Sequence, residues 1–275
     1  MLAPMVRVTV LASGSRGNCT VVSSSRTRIL VDAGLSCRET LKRMRLAGEE
    51  PAALTAILIS HEHNDHIDGL RVLARKLQLP VYITQPTHRV WYRAVREEAR
   101  GADETPADLE RREFFEAGRS FQIGDIDITS FTIPHDATDP VGFAFTVEGV
   151  KVGLVTDLGY MPASVRQQLR RCDILMVESN HDLEMLRGGP YPWVVKQRVM
   201  SRVGHLSNDS LAEFFANDYD GAAAFVILAH LSEHNNHPEI ARSAAERALA
   251  ARCGTLFSSQ VKLASQDQPL SPVVL

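Results

Sequence analysis

Two kinds of apolar pattern alternate along the chain. Short runs rich in β-branched residues predict buried strands at residues 6–11, 20–23, 28–31, 57–60, 81–84, 126–133, 142–147, 151–156, 174–178, 225–228 and 255–257. Longer segments with apolar residues three or four positions apart predict helices at residues 38–46, 66–77, 87–100, 163–171, 192–202, 208–217 and 238–252. A strand-rich part followed by helices occurs twice, which favours two halves that stack sheet on sheet with helices outside. The predicted fold class is therefore α/β.

One domain accounts for this pattern. No stretch rich in Pro, Gly or Ser divides the 275 residues, a length that suits a single large α/β domain. We predict one hydrolase domain over residues 1–265 and a short C-terminal tail, residues 266–275, that frays. Hydrophobic residues make up 44% of the sequence and charged residues 23%, so a sizeable core is available.

The strongest chemical signal is a histidine-rich loop directly after the apolar strand that ends at residue 60. The loop reads His61-Glu62-His63-Asn64-Asp65-His66. Alternate residues of an extended segment point the same way, so His61 and His63 can present both imidazoles to one metal ion. Asp65 and His66 lie where the chain turns into a helix, and they can face a second ion. Imidazole and carboxylate ligands without thiolate suit Zn²⁺, Mn²⁺ or Fe²⁺.

Further candidate ligands follow three other predicted strands. They are His135, Asp157 and His230. Loops at strand ends commonly carry functional residues, although a single histidine there is more often structural. Three candidates in this order behind the histidine-rich loop favour a metal site.

These motifs resemble the metallo-β-lactamase superfamily. Its pattern is an Asp after the third strand, a His-x-His-x-Asp-His loop, a later His, an Asp and a final His. The resemblance implies a four-layer αβ/βα sandwich, in which two mixed β-sheets carry helices on their outer faces and metals lie at one edge. The ligands it implies are His61, His63 and His135 for one ion, Asp65, His66 and His230 for the other, Asp157 bridging the two, and Asp32 orienting the ligand loop.

Within the superfamily the sequence is most similar to the YycJ (WalJ) group of bacterial exonuclease-like proteins. The similarity covers nearly the whole chain and is carried by residues 11–19 (LASGSRGNC), 178–182 (ESNHD), 188–193 (GGPYPW), 204–208 (GHLSN) and 229–236 (AHLSEHNN). Ser179 stands where the group usually has Ala, and His234 where it commonly has Glu or Asn, but neither position is an expected ligand. The similarity implies digestion of duplex DNA from a 5′ end and a role in DNA repair.

Three residues are predicted to act in catalysis. Asp65 can accept a proton or orient the nucleophile. His205 precedes the helix predicted at residues 208–217, and a helix N-terminus favours an anion, so we predict a phosphate there against His205. By resemblance to tRNA-processing nucleases, His205 binds phosphate or protonates the leaving group. His181 either neighbours the metals or holds its loop.

Substrate contacts are predicted in two loops. Ser13, Ser15 and Asn18 lie in a loop whose backbone N–H groups can cradle a phosphate, and the alternative for this loop is a tight turn between two strands. Asn180 is the predicted contact in the second loop. Trp193 is predicted to pack rather than to stack on a base.

Charge gives no global field for holding nucleic acid, since 30 basic against 33 acidic residues leave a net charge of −3. Two local patches are candidates: residues 7–45 carry eight basic and two acidic residues, and residues 187–202 carry four basic residues and no acidic one. A solvated face is an equally good interpretation of each. We predict a nucleic-acid partner, with DNA favoured over RNA, and no membrane partner, while the oligomeric state stays open.

The four cysteines indicate the compartment. They are scattered, without the spacing of a disulfide framework or a thiolate metal site. Arg7 interrupts any apolar signal region, and no apolar stretch reaches membrane-spanning length. We predict a soluble cytoplasmic protein.

The candidate chemistry is metal-dependent hydrolysis. Two divalent ions about 3.5–4 Å apart can hold a bridging water, lower its pKa and polarise the phosphoryl oxygen that it attacks. With the resemblance, we predict a binuclear-metal-dependent phosphodiesterase, a 5′-to-3′ exonuclease on double-stranded DNA. The alternatives are hydrolysis of a small thioester or lactone on the same metal frame, RNA processing, and a non-catalytic DNA-binding role.

Overall fold

Two mixed sheets form the centre of the fold. The computed structural model describes residues 5–99, 108–253 and 259–275, and each sheet has seven strands within these ranges. The first sheet contains β1 (Arg7–Ala12), β2 (Cys19–Ser23), β3 (Arg28–Val31), β4 (Ala56–Leu58), β5 (Val81–Thr84), β6 (Arg112–Phe115) and β14 (Val273–Val274), in the order β14-β1-β2-β3-β4-β5-β6. The second contains β7 (Ser120–Ile123), β8 (Ile126–Thr132), β9 (Val141–Val147), β10 (Val150–Val155), β11 (Ile174–Glu178), β12 (Phe225–Ala229) and β13 (Gln260–Leu263), in the order β13-β12-β11-β10-β9-β8-β7.

Helices connect and cover the sheets. They are α1 (Cys37–Leu46), α2 (Asn64–Ile67), α3 (Leu70–Leu77), α4 (Gln85–Glu98), α5 (Ala163–Gln168), α6 (Leu183–Gly188), α7 (Trp193–Val199), α8 (Asn208–Asn217) and α9 (Pro238–Cys253), with one 3-10 turn at Pro51–Ala53. None of the helices in the described ranges combines the length and the hydropathy that a membrane crossing requires.

Three apolar clusters define four layers. The first lies between the sheets and joins residues such as Val8 and Leu58 of one sheet to Phe143 and Ile227 of the other. The second fills the space between the second sheet and α5, α8 and α9, and the third lies between the first sheet and α1, α3 and α4. Each sheet therefore has an apolar cluster on both of its faces, one shared with the other sheet and one shared with helices. This arrangement is the predicted sandwich with helices outside.

Strand direction brings the chemistry to one edge. β3 and β4 are parallel, and so are β10, β11 and β12. β8 runs in the direction of β10, because both are antiparallel to β9. The carboxyl ends of these strands therefore meet along one edge of the paired sheets, and the residues that follow each strand lie there.

Several elements differ from the predictions. β6 and β7 were not predicted because their residues are mostly exposed and lack an apolar period. The predicted helix at residues 66–77 is broken into α2 and α3 at Gly69, whose N–H donates to Ala33 O and where a Cβ would lie 2.0 Å from Leu35 O. The strand predicted at residues 255–257 lies outside the described residues.

The C-terminal segment also differs. Residues 266–275 were predicted to fray, but Val273 pairs with Val8 and Leu270 N donates to Val10 O at 2.9 Å. The two-residue β14 is too short to show a period in the sequence. Pairing with β14 gives hydrogen-bond partners to backbone groups on the side of β1 that faces away from β2.

Candidate metal centre

Three histidines from two strand ends form what we call the first cluster: His61, His63 and His135. Their ligand atoms all lie within 4.8 Å of one another. His135 Nε2 is 3.2 Å from His63 Nδ1, and the His61 and His63 ring centroids are 4.8 Å apart. His61 and His63 thus present their rings to one point, as alternate residues of an extended segment should.

Four residues form the second cluster: Asp65, His66, Asp157 and His230, again with ligand atoms within 4.8 Å of one another. His66 Nε2 lies 3.3 Å from Asp157 Oδ2 and 3.4 Å from Asp65 Oδ2. His230 Nε2 is 3.4 Å from the same Asp65 oxygen. The His61 and His66 ring centroids are 4.1 Å apart, so the two clusters adjoin. All seven predicted ligands are therefore brought together.

Asp32 holds the histidine-rich loop from behind. Its carboxylate accepts hydrogen bonds from the Ser60 N–H at 2.8 Å and from the Ser60 hydroxyl. It also lies 2.8 Å from His66 Nδ1. With Nδ1 directed to Asp32, His66 Nε2 faces the second cluster, which is the orienting position predicted for Asp32.

The backbone is strained at three of these positions. Asp32, Asp157 and His230 have φ angles of 59°, 61° and 54° and directly follow or nearly follow β3, β10 and β12. Residues with a side chain rarely adopt this left-handed conformation. Such strain persists where surrounding contacts hold it, and it is concentrated at functional sites.

Glu178 was not predicted as a site residue, yet it connects two of the site histidines. It is fully buried at the end of β11, and its Oε1 lies 2.8 Å from His205 Nδ1 and 2.9 Å from His230 Nδ1. Its Oε2 accepts the N–H groups of Leu158 and Leu206. Burial raises the pKa of Glu178, but the two histidines outweigh it and lower the pKa to about 2. Glu178 is thus an ionised acceptor that orients both rings.

His205 lies beside the second cluster rather than at a free helix end. Its Nδ1 is 3.7 Å from Asp157 Oδ1, and its side chain keeps 19% of its surface exposed. The start of α8, predicted to bind phosphate, is capped from within the protein: Ser207 Oγ accepts the Ser210 N–H, and the Asn208 N–H donates to His181 O. Burial lowers the pKa of His205, but Glu178 outweighs it and raises the pKa above the ordinary histidine value.

The carboxylates of the second cluster stay ionised in spite of burial. Burial raises the pKa of Asp157 and of Asp65, but His66 and His230 hold both pKa values well below the ordinary range. Burial also lowers the pKa of His66 and His230, yet the surrounding carboxylates raise both well above the ordinary value. The second cluster therefore requires positive charge, which protons or metal cations can supply.

Unpartnered atoms show that metal ions fit both clusters. His61 Nε2 and Asp157 Oδ2 are buried without a hydrogen-bond partner among the described residues. Asp157 Oδ2 lies 3.3 Å from His66 Nε2, but this contact does not have the geometry of a hydrogen bond. Leaving such atoms unpaired costs free energy, which a bound cation removes. Burial holds the pKa of His61 well below the ordinary value, so the imidazole is neutral and offers a lone pair. The two clusters are suited to divalent cations.

His181 and Asn180 lie next to the site but outside both clusters. Asn180, predicted to contact substrate, donates from Nδ2 to His230 O at 2.8 Å, so its amide is directed into the protein. His181 is buried, and its Nε2 has no hydrogen-bond partner in the part of the chain that the structure describes. Burial lowers the pKa of His181 to about 4, which keeps the ring neutral. Its catalytic role stays a prediction.

The loop at residues 13–18 is not the predicted phosphate cradle. Five of its backbone N–H groups donate to acceptors within the protein, those of Ser13, Gly14, Arg16, Gly17 and Asn18. The side chains of Ser13 and Asn18 are buried and hydrogen-bonded, whereas Ser15 is exposed. The loop is therefore closer to the structural turn that was its alternative, and a substrate contact by Ser15 stays a prediction.

Both predicted basic patches are largely paired. In the first, Arg7 and Arg28 lie 2.8 and 3.5 Å from the buried Glu49. In the second, the buried Lys196 donates to the carbonyls of Arg187 and Gly189, both at 2.7 Å. These cations stabilise the fold and are not free to bind phosphate.

Part of the second patch forms an exposed rim beside the first cluster. Arg198 Nε is 2.5 Å from Asp136 Oδ2, and Asp136 Oδ1 is 3.5 Å from His135 Nε2. The Arg202 guanidinium stacks 4.3 Å from the Tyr160 ring centroid. Trp193, predicted to pack, is 61% exposed, because α7 buries its Lys196 side instead.

Comparison with known proteins agrees with the geometry. The family model described as Beta-lactamase superfamily domain matches residues 27–231. Exodeoxyribonuclease YycJ of Bacillus anthracis is 38% identical over 240 residues, which cover 87% of this chain and 88% of that protein. Exodeoxyribonuclease WalJ of Streptococcus pneumoniae serotype 2 is 37% identical over 235 residues, which cover 86% of this chain and 85% of that protein.

A solved structure has the same fold. The metallo-β-lactamase fold protein YhfI from Bacillus subtilis superposes with a TM-score of 0.68 at 20% identity, covering 97% of this chain and 99% of that one. The predicted sandwich and the predicted family are both confirmed. The chain therefore belongs to the metallo-β-lactamase superfamily and is a metal-dependent hydrolase related to YycJ and WalJ.

Proposed function

We propose that this protein is a two-cation phosphodiesterase that digests DNA from an end. The observation that carries the proposal is the convergence of seven imidazole and carboxylate ligands in two adjoining clusters at one edge of the sheets. The names of the two relatives, exodeoxyribonucleases, point to DNA as the substrate.

The ligand sets divide between two cations. His61, His63 and His135 would hold the first, and Asp65, His66, Asp157 and His230 the second. The resemblance to the superfamily suggests that Asp157 would also be shared with the first cation. Bound divalent cations supply an activated water and neutralise charge on the phosphoryl group.

The remaining chemistry belongs to the protein's own side chains. Asp65 is partly exposed at the mouth of the second cluster, and as an ionised carboxylate it can orient the nucleophile or accept its proton. His205 is fixed through Nδ1 by Glu178, which leaves Nε2 as the ring nitrogen that can contact substrate. With its raised pKa, this imidazole can donate a proton to the leaving oxygen or stabilise developing charge.

The finer specificity is also proposed. We infer duplex DNA rather than RNA, digestion from 5′ to 3′, and a role in repair in the cytoplasm. The Arg202–Tyr160 pair and the exposed Trp193, which lies in the second basic patch, support a nucleic-acid substrate, because exposed aromatic rings and arginine stack on bases. A small thioester or lactone offers no bases for such contacts.

The test compares substrates on one protein preparation reconstituted with Mn²⁺ or Zn²⁺. The substrates are a 5′-phosphorylated DNA duplex labelled at either end, the matching single strand, the matching RNA and a glutathione thioester. We expect cleavage of the duplex, with mononucleotides released first from the 5′ end. Preferred cleavage of RNA or of the thioester would assign the site to one of those alternatives.

Matched variants connect the activity to the site. Asp65→Asn removes a proposed ligand and proton acceptor, and we expect a loss of at least about 100-fold in kcat. Asp127→Asn changes an exposed carboxylate at the start of β8, at the opposite end of that strand from His135, and should keep parental activity. Parental cleavage by a folded Asp65→Asn protein would refute the proposed site.

A further inference from the structure

The loop between β1 and β2 carries two buried polar side chains next to the second cluster. Ser13 is 2% exposed and Asn18 is 6% exposed. The proposed mechanism uses neither of them, and their polar atoms are bonded within the protein. Besides each other and Gly14 of the same loop, the partners of these side chains are Asp65, His66 and His230 of the second cluster, which come from both sheets.

Asn18 contacts the ligands that come from the first sheet. Its Oδ1 accepts the Gly14 N–H at 2.9 Å, and because that backbone group can only donate, the orientation of the amide is fixed. The Asn18 NH2 group therefore faces the cluster, 3.1 Å from Asp65 Oδ2 and 3.0 Å from His66 Nε2. The backbone strengthens this contact, since the Asn18 N–H donates to Asp65 O at 2.7 Å.

Ser13 contacts the ligand that comes from the second sheet. Its Oγ accepts the His230 N–H at 2.8 Å, at the residue whose backbone is left-handed. The Ser13 hydroxyl in turn donates to Asn18 Oδ1 at 3.3 Å. A continuous chain of hydrogen bonds thus runs from His230 through Ser13 and Asn18 to Asp65.

We propose that Ser13 and Asn18 act as a positioning clamp for the second cation. The clamp fixes the separation of Asp65 and His230, which come from opposite sheets and whose ligand atoms are 3.4 Å apart. None of the hydrogen bonds of Ser13 and Asn18 within the described ranges reaches the first cluster. The clamp therefore sets the affinity for the second cation and leaves that for the first unchanged. This inference rests on the two-cation site of the proposed function.

The test is a calorimetric titration of chelator-stripped protein with Mn²⁺ or Zn²⁺. The parent should bind two cations per chain. Asn18→Ala should keep the first binding step and weaken the second about 10–100-fold, the usual effect of removing an outer partner of a metal ligand. Ser13→Ala, a smaller change, should weaken the same step in the same direction. Ser15→Ala, an exposed position in the same loop, is the matched control and should bind as the parent does.

Thermal unfolding of the stripped proteins separates a clamp from a general structural role. If the variants lose both cations in parallel and the stripped proteins unfold at clearly lower temperature, the loop only supports the fold and the clamp is wrong. The clamp is also wrong if Asn18→Ala binds two cations with parental affinities. If the parent itself binds one cation, the two-cation site fails and the clamp fails with it.

Discussion

Replacing Glu178 by Gln tests whether this carboxylate orients His205 and His230. The carboxylate accepts four hydrogen bonds, two from imidazoles and two from the backbone N–H groups of Leu158 and Leu206. The backbone groups can only donate, so the single oxygen of Gln must face them. Its NH2 group then points at His205 and His230.

The cost follows from those two contacts. If both imidazoles keep their Nδ1 protons, two hydrogen bonds to a charged group are lost, which costs about 1.5–3 kcal/mol each, or about 3–6 kcal/mol in unfolding free energy. His230 can accept from the Gln NH2 through Nδ1 only in the tautomer with a proton on Nε2, which removes its lone pair from the second cluster. The second cation should therefore bind about 10–100-fold more weakly.

Thermal unfolding and metal titration measure the two effects. A loss of about 3 kcal/mol should lower the unfolding midpoint by about 6–12 °C in a domain of this size. Glu184→Gln, at an exposed position in the first turn of α6, is the control and should leave both measurements unchanged. An unfolding midpoint within about 1 °C of the parent, with parental metal titration, would refute the organising role of Glu178.

Three further predictions use other features of the structure. Chelation should abolish cleavage and lower the unfolding midpoint, with both restored by Zn²⁺ or Mn²⁺, and cleavage that persists in chelator would contradict a metal-dependent site. Gly34→Ala places a Cβ 1.7 Å from Asp65 O, so it should displace the ligand loop and cost more than about 2 kcal/mol in unfolding free energy, whereas Gly188→Ala has open space and should be silent. Trp193→Ala should weaken duplex binding about tenfold in fluorescence anisotropy without changing the unfolding midpoint, and equal affinity would exclude Trp193 from DNA binding.

The sequence predicts buried strands well and edge strands poorly. Strands such as β3 and β12 are apolar because the sandwich covers both of their faces, so their composition alone identifies them. β6 and β7 have mostly exposed side chains, and β14 has two residues. Their strand conformation comes from pairing with a neighbour, which local periodicity does not record.

The residues of the two clusters were predictable because each set follows a recognisable apolar strand. Glu178 had the same signal, an ionisable residue that closes the apolar run of β11. An acidic residue at a strand end is more often solvated, and only the packing of four donors around it shows that it is buried. The loop at residues 13–18 was ambiguous for a related reason, since some partners of its N–H groups, such as Ser265 O, come from the far end of the chain.

The division of ligands between the sheets explains why the histidine-rich loop locates the site without completing it. The loop supplies His61, His63, Asp65 and His66 from the first sheet, so one residue of the first cluster and two of the second are missing there. The missing residues, His135, Asp157 and His230, follow strands of the second sheet, and their distance from the loop is set by the apolar packing between the sheets. Loss of that packing would therefore open both clusters even with every ligand residue still in the sequence. The number of metal ions bound per chain thus depends on how well the two sheets are packed together, as well as on which ligand residues are present.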